Sequence, residues 1–275
     1  MNNAAPLRRV WLVVNAGSGS TDDTVAAGLK AKLTESGIAL AGETDFPGDA
    51  APTPGDLDAV RADTLLICGG DGTINAAWTA ADDWSGQCLV LPGGTMNGLA
   101  KALHGNTKRD AILAAASAAR LVHPSIASVG ERRAMVGIIL GPAAAWVHAR
   151  EDVRKGRLAR AVRVAWLAWS RTFSRSVRIA GQPGRHRAVV VKPVAGGLEV
   201  SAVSAAGIAD AVRLGWDWVR GDWRAGPGVT VATVDEVTLI GRRFVRALFD
   251  GEPAKLDSPA RVRAGRTRLA FIATE

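Results

Sequence analysis

Thr64-Leu-Leu-Ile-Cys-Gly-Gly-Asp-Gly-Thr-Ile-Asn-Ala-Ala77 joins a short apolar run to a helical pattern through Gly69-Gly70-Asp71-Gly72-Thr73. Its physical reading is strand, turn and helix. Glycines let the backbone approach a bulky group closely, and the free N–H groups that open a helix attract anions. Phosphate is the natural guest of such a loop. A carboxylate is a poor phosphate contact by itself, because like charges repel, so Asp71 implies a metal ion or another cation between acid and phosphates. A magnesium nucleotide meets that requirement; the plain alternative is a tight turn closing a buried strand. The chain has neither a G-x-x-x-x-G-K-[ST] loop nor a G-x-G-x-x-G fingerprint, which disfavours P-loop and dinucleotide-binding readings.

Working outward, Val10–Val14 reads as a buried strand that runs into the small, polar loop Asn15-Ala-Gly-Ser-Gly-Ser-Thr21. A helix should follow, with Thr21, Asp22 and Asp23 as suitable caps, Val25, Leu29 and Leu33 on its apolar face and Gly37 as its stop. Ile38–Thr44 reads as a second strand, and the Pro- and Gly-rich stretch from Pro47 to Asp58 as an irregular loop. Leu89–Leu91 ends in another glycine loop, Pro92-Gly93-Gly94-Thr95-Met96-Asn97-Gly98, before Leu99–Leu103 and an alanine-rich helix from Arg109 to Ala119. Strands alternating with helices predict a parallel sheet flanked by helices, whose ligands collect at the carboxyl ends of the strands.

After about Ser125 the pattern changes to short apolar runs bounded by turn residues: Met135–Leu140, Val177–Ala180, Ala188–Lys192, Leu198–Val203, Val229–Val234, Val237–Ile240, Val245–Phe249 and Arg268–Ala273. This predicts an antiparallel β-rich domain with one or two helices. Asp250-Gly251 is a strong hairpin-turn signal. From Leu158 to Phe173, Val162, Trp166, Trp169 and Phe173 fall on one helical face, with Arg154, Arg157, Arg160 and Arg171 towards the other. Such a basic amphipathic helix either lies on a sheet or binds an anionic lipid surface.

Charge separates the two halves. Residues 1–125 carry 9 basic and 13 acidic side chains, net −4, and residues 126–275 carry 25 and 13, net +12. A basic half suits nucleic acid, an anionic membrane or a phosphorylated substrate, and composition does not choose among them. Cys68 and Cys88 sit in apolar runs, too few for a disulfide framework, which predicts buried thiols in a reducing, cytosolic setting. No secretory segment is expected, because the VWLVV run after Arg8-Arg9 is too short. His104, His123, His148 and His186 lack metal-ligand spacing and are expected at the surface or as caps.

Taken together, the loops resemble those of the diacylglycerol kinase catalytic-domain family, which includes sphingosine-kinase-like proteins. The resemblance rests on Asn15 with Ser18-Gly19, on GGDGT, on Pro92, Gly94, Thr95 and Asn97, and on Asp250-Gly251-Glu252, in that order. GGDGT alone is shared with NAD kinases and phosphofructokinases. The resemblance implies an α/β nucleotide-binding domain over residues 1–125, completed by residues 262–275, then a β-rich, sandwich-like substrate domain over residues 126–261. ATP and substrate are implied to meet in a cleft between them.

By the same resemblance the chain is an ATP-dependent lipid kinase that phosphorylates a hydroxyl of a diacylglycerol-like or sphingoid lipid with Mg2+. Asn15, Ser18, Gly19, Gly69, Gly70, Gly72, Thr73, Gly94, Thr95 and Asn97 are implied to hold the nucleotide. Asp71 and Glu252 are implied as the catalytic pair, Glu252 as general base, with Asp71 and Asp250 serving the metal. Lipid phosphorylation implies peripheral contact with the inner face of an anionic membrane and no nucleic-acid partner. Ala16, Ala76, Gly98 and Ser125 depart from the family, which often has Pro at the first position and acids at the other three. A kinase of a soluble hydroxyl compound and a catalytically weak lipid- or nucleotide-binding regulator remain the alternatives.

Overall fold

The computed structural model describes residues 3–17, 21–94, 97–106, 108–141, 176–186, 188–203 and 229–275. The chain divides into two compact units, Met1–Pro124 with Arg266–Glu275, and Ser125–Gly265.

The first unit opens with β1 (Arg9–Val14), α1 (Asp23–Glu35), β2 (Ala39–Asp45) and α2 (Pro54–Ala59). It continues with β3 (Thr64–Gly69), α3 (Asp71–Ala80), β4 (Gln87–Pro92), α4 (Gly98–His104), α5 (Arg109–Ala115), a 3-10 turn (Ala116–Ala118) and β5 (Arg120–Val122). The cap of α1 is Asp22, whose carboxylate accepts the Val25 N–H at 2.9 Å. That bond and the Thr24 hydroxyl hold the Asp22 carboxyl below its ordinary pKa, the hydroxyl contributing most.

Helix α2 corrects the expectation of an irregular loop. Thr53 accepts the Asp56 N–H while the Asp56 carboxylate accepts the Thr53 N–H, and Pro54 supplies a preset φ at the first turn. This is a capping box, and it holds a turn of helix where composition alone reads an irregular loop.

The second unit contains β6 (Ser125–Val129), β7 (Arg132–Ala134), β8 (Ile138–Leu140), β9 (Arg178–Ile179), β10 (Ala188–Val194) and β11 (Gly197–Val203). β12 (Val229–Val234), β13 (Glu236–Ile240), β14 (Phe244–Phe249), β15 (Glu252–Asp257) and β16 (Ala260–Arg266) follow. They form two sheets, ordered β12-β11-β10-β8-β14-β15 and β7-β6-β16-β13-β9. Val189, Val191, Leu198 and Val200 of the first sheet share one core with Ala127, Val237, Leu239 and Val262 of the second, which is the sandwich arrangement. The run expected as one strand from Met135 to Leu140 is broken, because the N–H groups of Met135, Val136 and Gly137 are taken by the Asp250 carboxylate instead of a ladder.

The run expected from Arg268 to Ala273 forms β17 (Ala270–Ala273) and joins the first unit, giving the sheet order β2-β1-β3-β4-β17-β5. β17 is parallel to β4 and antiparallel to β5, and the remaining pairs of that sheet are parallel. Asp82, only 5% exposed, steers its approach by accepting the N–H groups of Arg268 and Leu269 at 2.9 and 3.3 Å. Beside it, Arg268 pairs with Asp83.

No helix among the described residues is long and apolar enough to cross a membrane. The amphipathic stretch from Leu158 to Phe173, His148, and Trp216, Trp218 and Trp223 lie outside the described residues.

Candidate functional site

β3 is buried along its whole length, so its backbone enters the loop with little freedom. Gly70 is the N-cap of α3, and no side chain caps the helix. The positive end of the α3 dipole is therefore presented by backbone alone, an effect worth about 0.3–1 kcal/mol per adjacent charge at an exposed helix end. The loop folds back on the helix: a Cβ at Gly69 would lie 2.9 Å from the Thr73 Cβ. Asn15, just past β1, reaches the same turn, its Nδ2 donating to Thr73 Oγ1 at 2.8 Å.

The loop after β4 lies against this one, glycine on glycine. Gly93 donates its N–H to the Gly69 carbonyl at 3.0 Å, and a Cβ at Gly94 would stand 2.5 Å from the Gly70 Cα. No side chain fits there without parting the loops. Asn97 takes a left-handed backbone, φ 50°, and closes its loop reciprocally: Oδ1 accepts the Gly94 N–H at 2.7 Å and Nδ2 donates to the Gly94 carbonyl at 2.8 Å. The Asp71 carboxylate then crosses to α4, accepting the N–H groups of Gly98 and Leu99 at 3.1 and 3.2 Å. One acid thus starts α3 and caps α4. Gly70, Asp71 and Gly72 are half-buried, so the bed keeps an accessible face.

Of the residues expected to hold a nucleotide, Asn15, Gly69, Gly70, Gly72, Thr73, Gly94 and Asn97 fall on these loops, and Ser18, Gly19 and Thr95 lie outside the described residues. Thr21 belongs with them. It was expected as a helix cap, but its buried hydroxyl donates to the Gly93 carbonyl at 3.1 Å, tying the first loop to the third. No sequence signal separates that role from capping.

Asp250 and Glu252 lie on the second unit. Asp250 and Gly251 join β14 to β15 as a two-residue turn, with φ of 48° and 96° and Phe249 paired to Glu252. Positive φ at both positions is the primed hairpin turn that Asp-Gly favours. The Asp250 carboxylate accepts three N–H groups, Met135 at 2.9 Å on one oxygen, Val136 and Gly137 at 2.9 and 2.8 Å on the other. Glu252 begins β15 and is exposed.

Neither thiol is a nucleophile. Both cysteines are buried and free, as composition implied, and burial pushes both thiols up in pKa; at Cys68 the Arg109 guanidinium and the Thr21 hydroxyl offset part of the rise. His104 and His186 correct the surface expectation: they are 0% and 7% exposed. Burial lowers His104 to a pKa of about 4, and its Nδ1 lies 3.0 Å from Thr274 Oγ1.

With the loops in view, comparison with known proteins is informative. Residues 9–129 match the family model described as the diacylglycerol kinase catalytic domain. A crystal structure of a diacylglycerol kinase from Bacillus anthracis str. Sterne shares the fold at 15% identity and a TM-score of 0.64, over 97% of each chain. A second structure from that organism, assigned the activity provisionally, aligns at 16% identity and a TM-score of 0.67, again over 97% of each chain. No curated protein matches the sequence.

Proposed function

We propose that the chain is an ATP-dependent lipid kinase that transfers a γ-phosphoryl group to a hydroxyl of a diacylglycerol-like or sphingoid lipid. The observation that carries this reading is the glycine-on-glycine bed of Gly69-Gly70 and Gly93-Gly94, fastened by Asp71 to the start of α4. Phosphoryl transfer asks mainly for positioning and charge neutralisation, and backbone N–H groups held by tertiary contact supply both without reorganising. Ser18, Gly19 and Thr95 are proposed to complete the nucleotide contacts.

Magnesium fits these residues in the company of phosphates. Among the described residues no three His, Cys, Asp or Glu side chains gather to hold a metal. Asp71 keeps acceptor capacity beyond its two N–H bonds and is the carboxylate proposed to hold the ion or its water. The bound ion would offset phosphate charge. Asp250 is the second carboxylate proposed for it, although three N–H donors take most of its capacity.

Glu252 is proposed as the general base that takes the proton from the lipid hydroxyl, supported by its exposure at the start of β15 and by the family resemblance. A lipid acceptor brings the chain to a bilayer surface, and the net +12 of residues 126–275 suits an anionic one. The test is ATP consumption against a panel of extracted lipids and soluble hydroxyl compounds. Lipid-dependent ADP release is expected, with turnover falling about 10²–10⁴-fold in Glu252→Gln while ATP binding survives. Soluble acceptors working better than lipids would overturn the substrate class. The regulator reading is favoured by Ala76, Gly98 and Ser125, positions where the family often carries acids, and it would prevail if ATP binds but no acceptor is phosphorylated.

A further inference from the structure

The second unit holds a concavity that the kinase reading does not use. Two adjoining recesses, of about 920 and 510 Å3, share Ser176, Arg185, Gly241 and Arg242. Arg243, Phe244 and Arg246 line the larger and Arg178 the smaller, and neither has an Asp or Glu among its described lining residues.

Five exposed arginines from three parts of the chain, residues 176–185, the β13–β14 connection and β14, therefore line one concavity. The connection that presents Arg242 and Arg243 is held in place: Gly241 donates its N–H to Ser258 Oγ at 3.0 Å, and that hydroxyl donates back to the Gly241 carbonyl at 3.0 Å. Behind it, Arg246 lies 5.6 Å and Lys255 4.4 Å from the centre of the Phe244 ring, two cations against one aromatic ring. Among the described residues Arg185 reaches the Ser176 hydroxyl, at 3.4 Å. None of the five arginines forms an ion pair among the described residues, nor does Asp257, which stands opposite Phe244 in the β14–β15 ladder.

Clustered like charges without counter-ions oppose folding, and a bound anion relieves that repulsion. Arginine forks match the oxygens of phosphate and carboxylate in pairs. The charge count selects within that class: against five cations a dianion gains about twice the Coulomb attraction of a monoanion. We propose that this recess binds a phosphomonoester dianion, the group common to free phosphate esters and to phosphatidate-type lipid headgroups. This site stands whether or not the kinase reading does, since none of its lining residues lies on the glycine loops.

The test uses the full chain and two probes: glycerol 3-phosphate in solution, followed by calorimetry, and phosphatidylcholine vesicles with or without phosphatidate, followed by sedimentation. Binding to at least one monoester probe is expected, and it should weaken as salt rises. The pair Arg242→Gln and Arg243→Gln should weaken it roughly thirtyfold, taking about 1 kcal/mol per basic residue. Glycerol 3-phosphate binding without vesicle binding assigns the recess to a free ester. Vesicle binding that glycerol 3-phosphate does not displace assigns it to a lipid headgroup. Should the double variant fail to fold, Arg185→Gln alone carries the test, with a loss of about fivefold. Asp71→Asn should bind both probes as the parent does, which separates this site from the phosphoryl-transfer reading. No binding of either probe, or undiminished binding in the arginine variants, would overturn the proposal.

Discussion

Asp71 in the first unit and Asp250 in the second sit beside glycine in similar-looking loops, and both turn their carboxylates onto backbone N–H groups of a distant segment. The surroundings differ. Asp71 accepts two N–H groups, on a half-buried loop built of glycine contacts, where a ligand can still reach the backbone. Asp250 accepts three from consecutive residues and is held at φ 48° by its hairpin turn. One acid orders a surface that stays open, and the other closes a gap between strands. Removing the first should therefore cost activity with little fold, and removing the second should cost fold.

The largest expected effect is at Asp71. Asp71→Asn should lower turnover by about 10³-fold, the scale of losing a preorganised electrostatic contact, while its urea midpoint stays close to the parent's. A midpoint that collapses with the activity would make Asp71 a second Asp250 and erase the contrast.

Asp250→Ala strips the partner from three N–H groups and leaves alanine at positive φ, so a loss of about 3 kcal/mol in unfolding free energy is expected. Equilibrium urea unfolding followed by Trp fluorescence measures it. If stability holds and only the magnesium dependence of turnover shifts, the metal role proposed for Asp250 gains the weight instead.

A smaller effect is expected at Gly94→Ala, whose methyl would stand 2.5 Å from the Gly70 Cα. Parting the loops should cost about 1–3 kcal/mol by overpacking, read as a roughly fivefold or greater rise in the nucleotide Kd by calorimetry. An unchanged Kd would mean the two loops do not act on nucleotide as one bed.

The smallest effect is a pH slope from His104. Its folded pKa of about 4 lies below the ordinary 6.5, so the unfolded chain binds the proton more readily. The stability it contributes is full above the unfolded value and is lost as pH falls from about 6.5 towards 4. Urea midpoints should decline over that window, and His104→Gln should flatten the decline.

The parallel sheet and the antiparallel strands of the second unit were legible because they are apolar runs ended by glycine or turn residues, as with β3 and the Asp250-Gly251 hairpin. α2 was hidden, since its capping box is a pair of side-chain bonds inside a Pro- and Gly-rich stretch. β16 was hidden differently. Its inward residues Ala260 and Val262 alternate with Arg261 and Arg263, whose charges pair with Glu236 on β13, so hydropathy averages out along the strand. In the site, the glycines and Asp71 stood out locally, but the docking of Gly94 on Gly70 and the reach of Asp71 to α4 are tertiary facts with no local mark. The arginine recess was the least visible, because its residues are scattered from Arg178 to Arg246.

The position of β17 has a consequence for synthesis. Pro92 ends β4, and the neighbour that pairs with that strand in the interior of the sheet begins at Ala270. At about 5–20 residues per second, a ribosome would take roughly ten to thirty seconds to deliver it. During that interval β4 presents an open, apolar edge while the whole second unit is being made. The nascent chain is then most exposed to mispairing, and a trigger-factor-like holdase that shields strand edges should raise the yield of folded protein more than one acting after release.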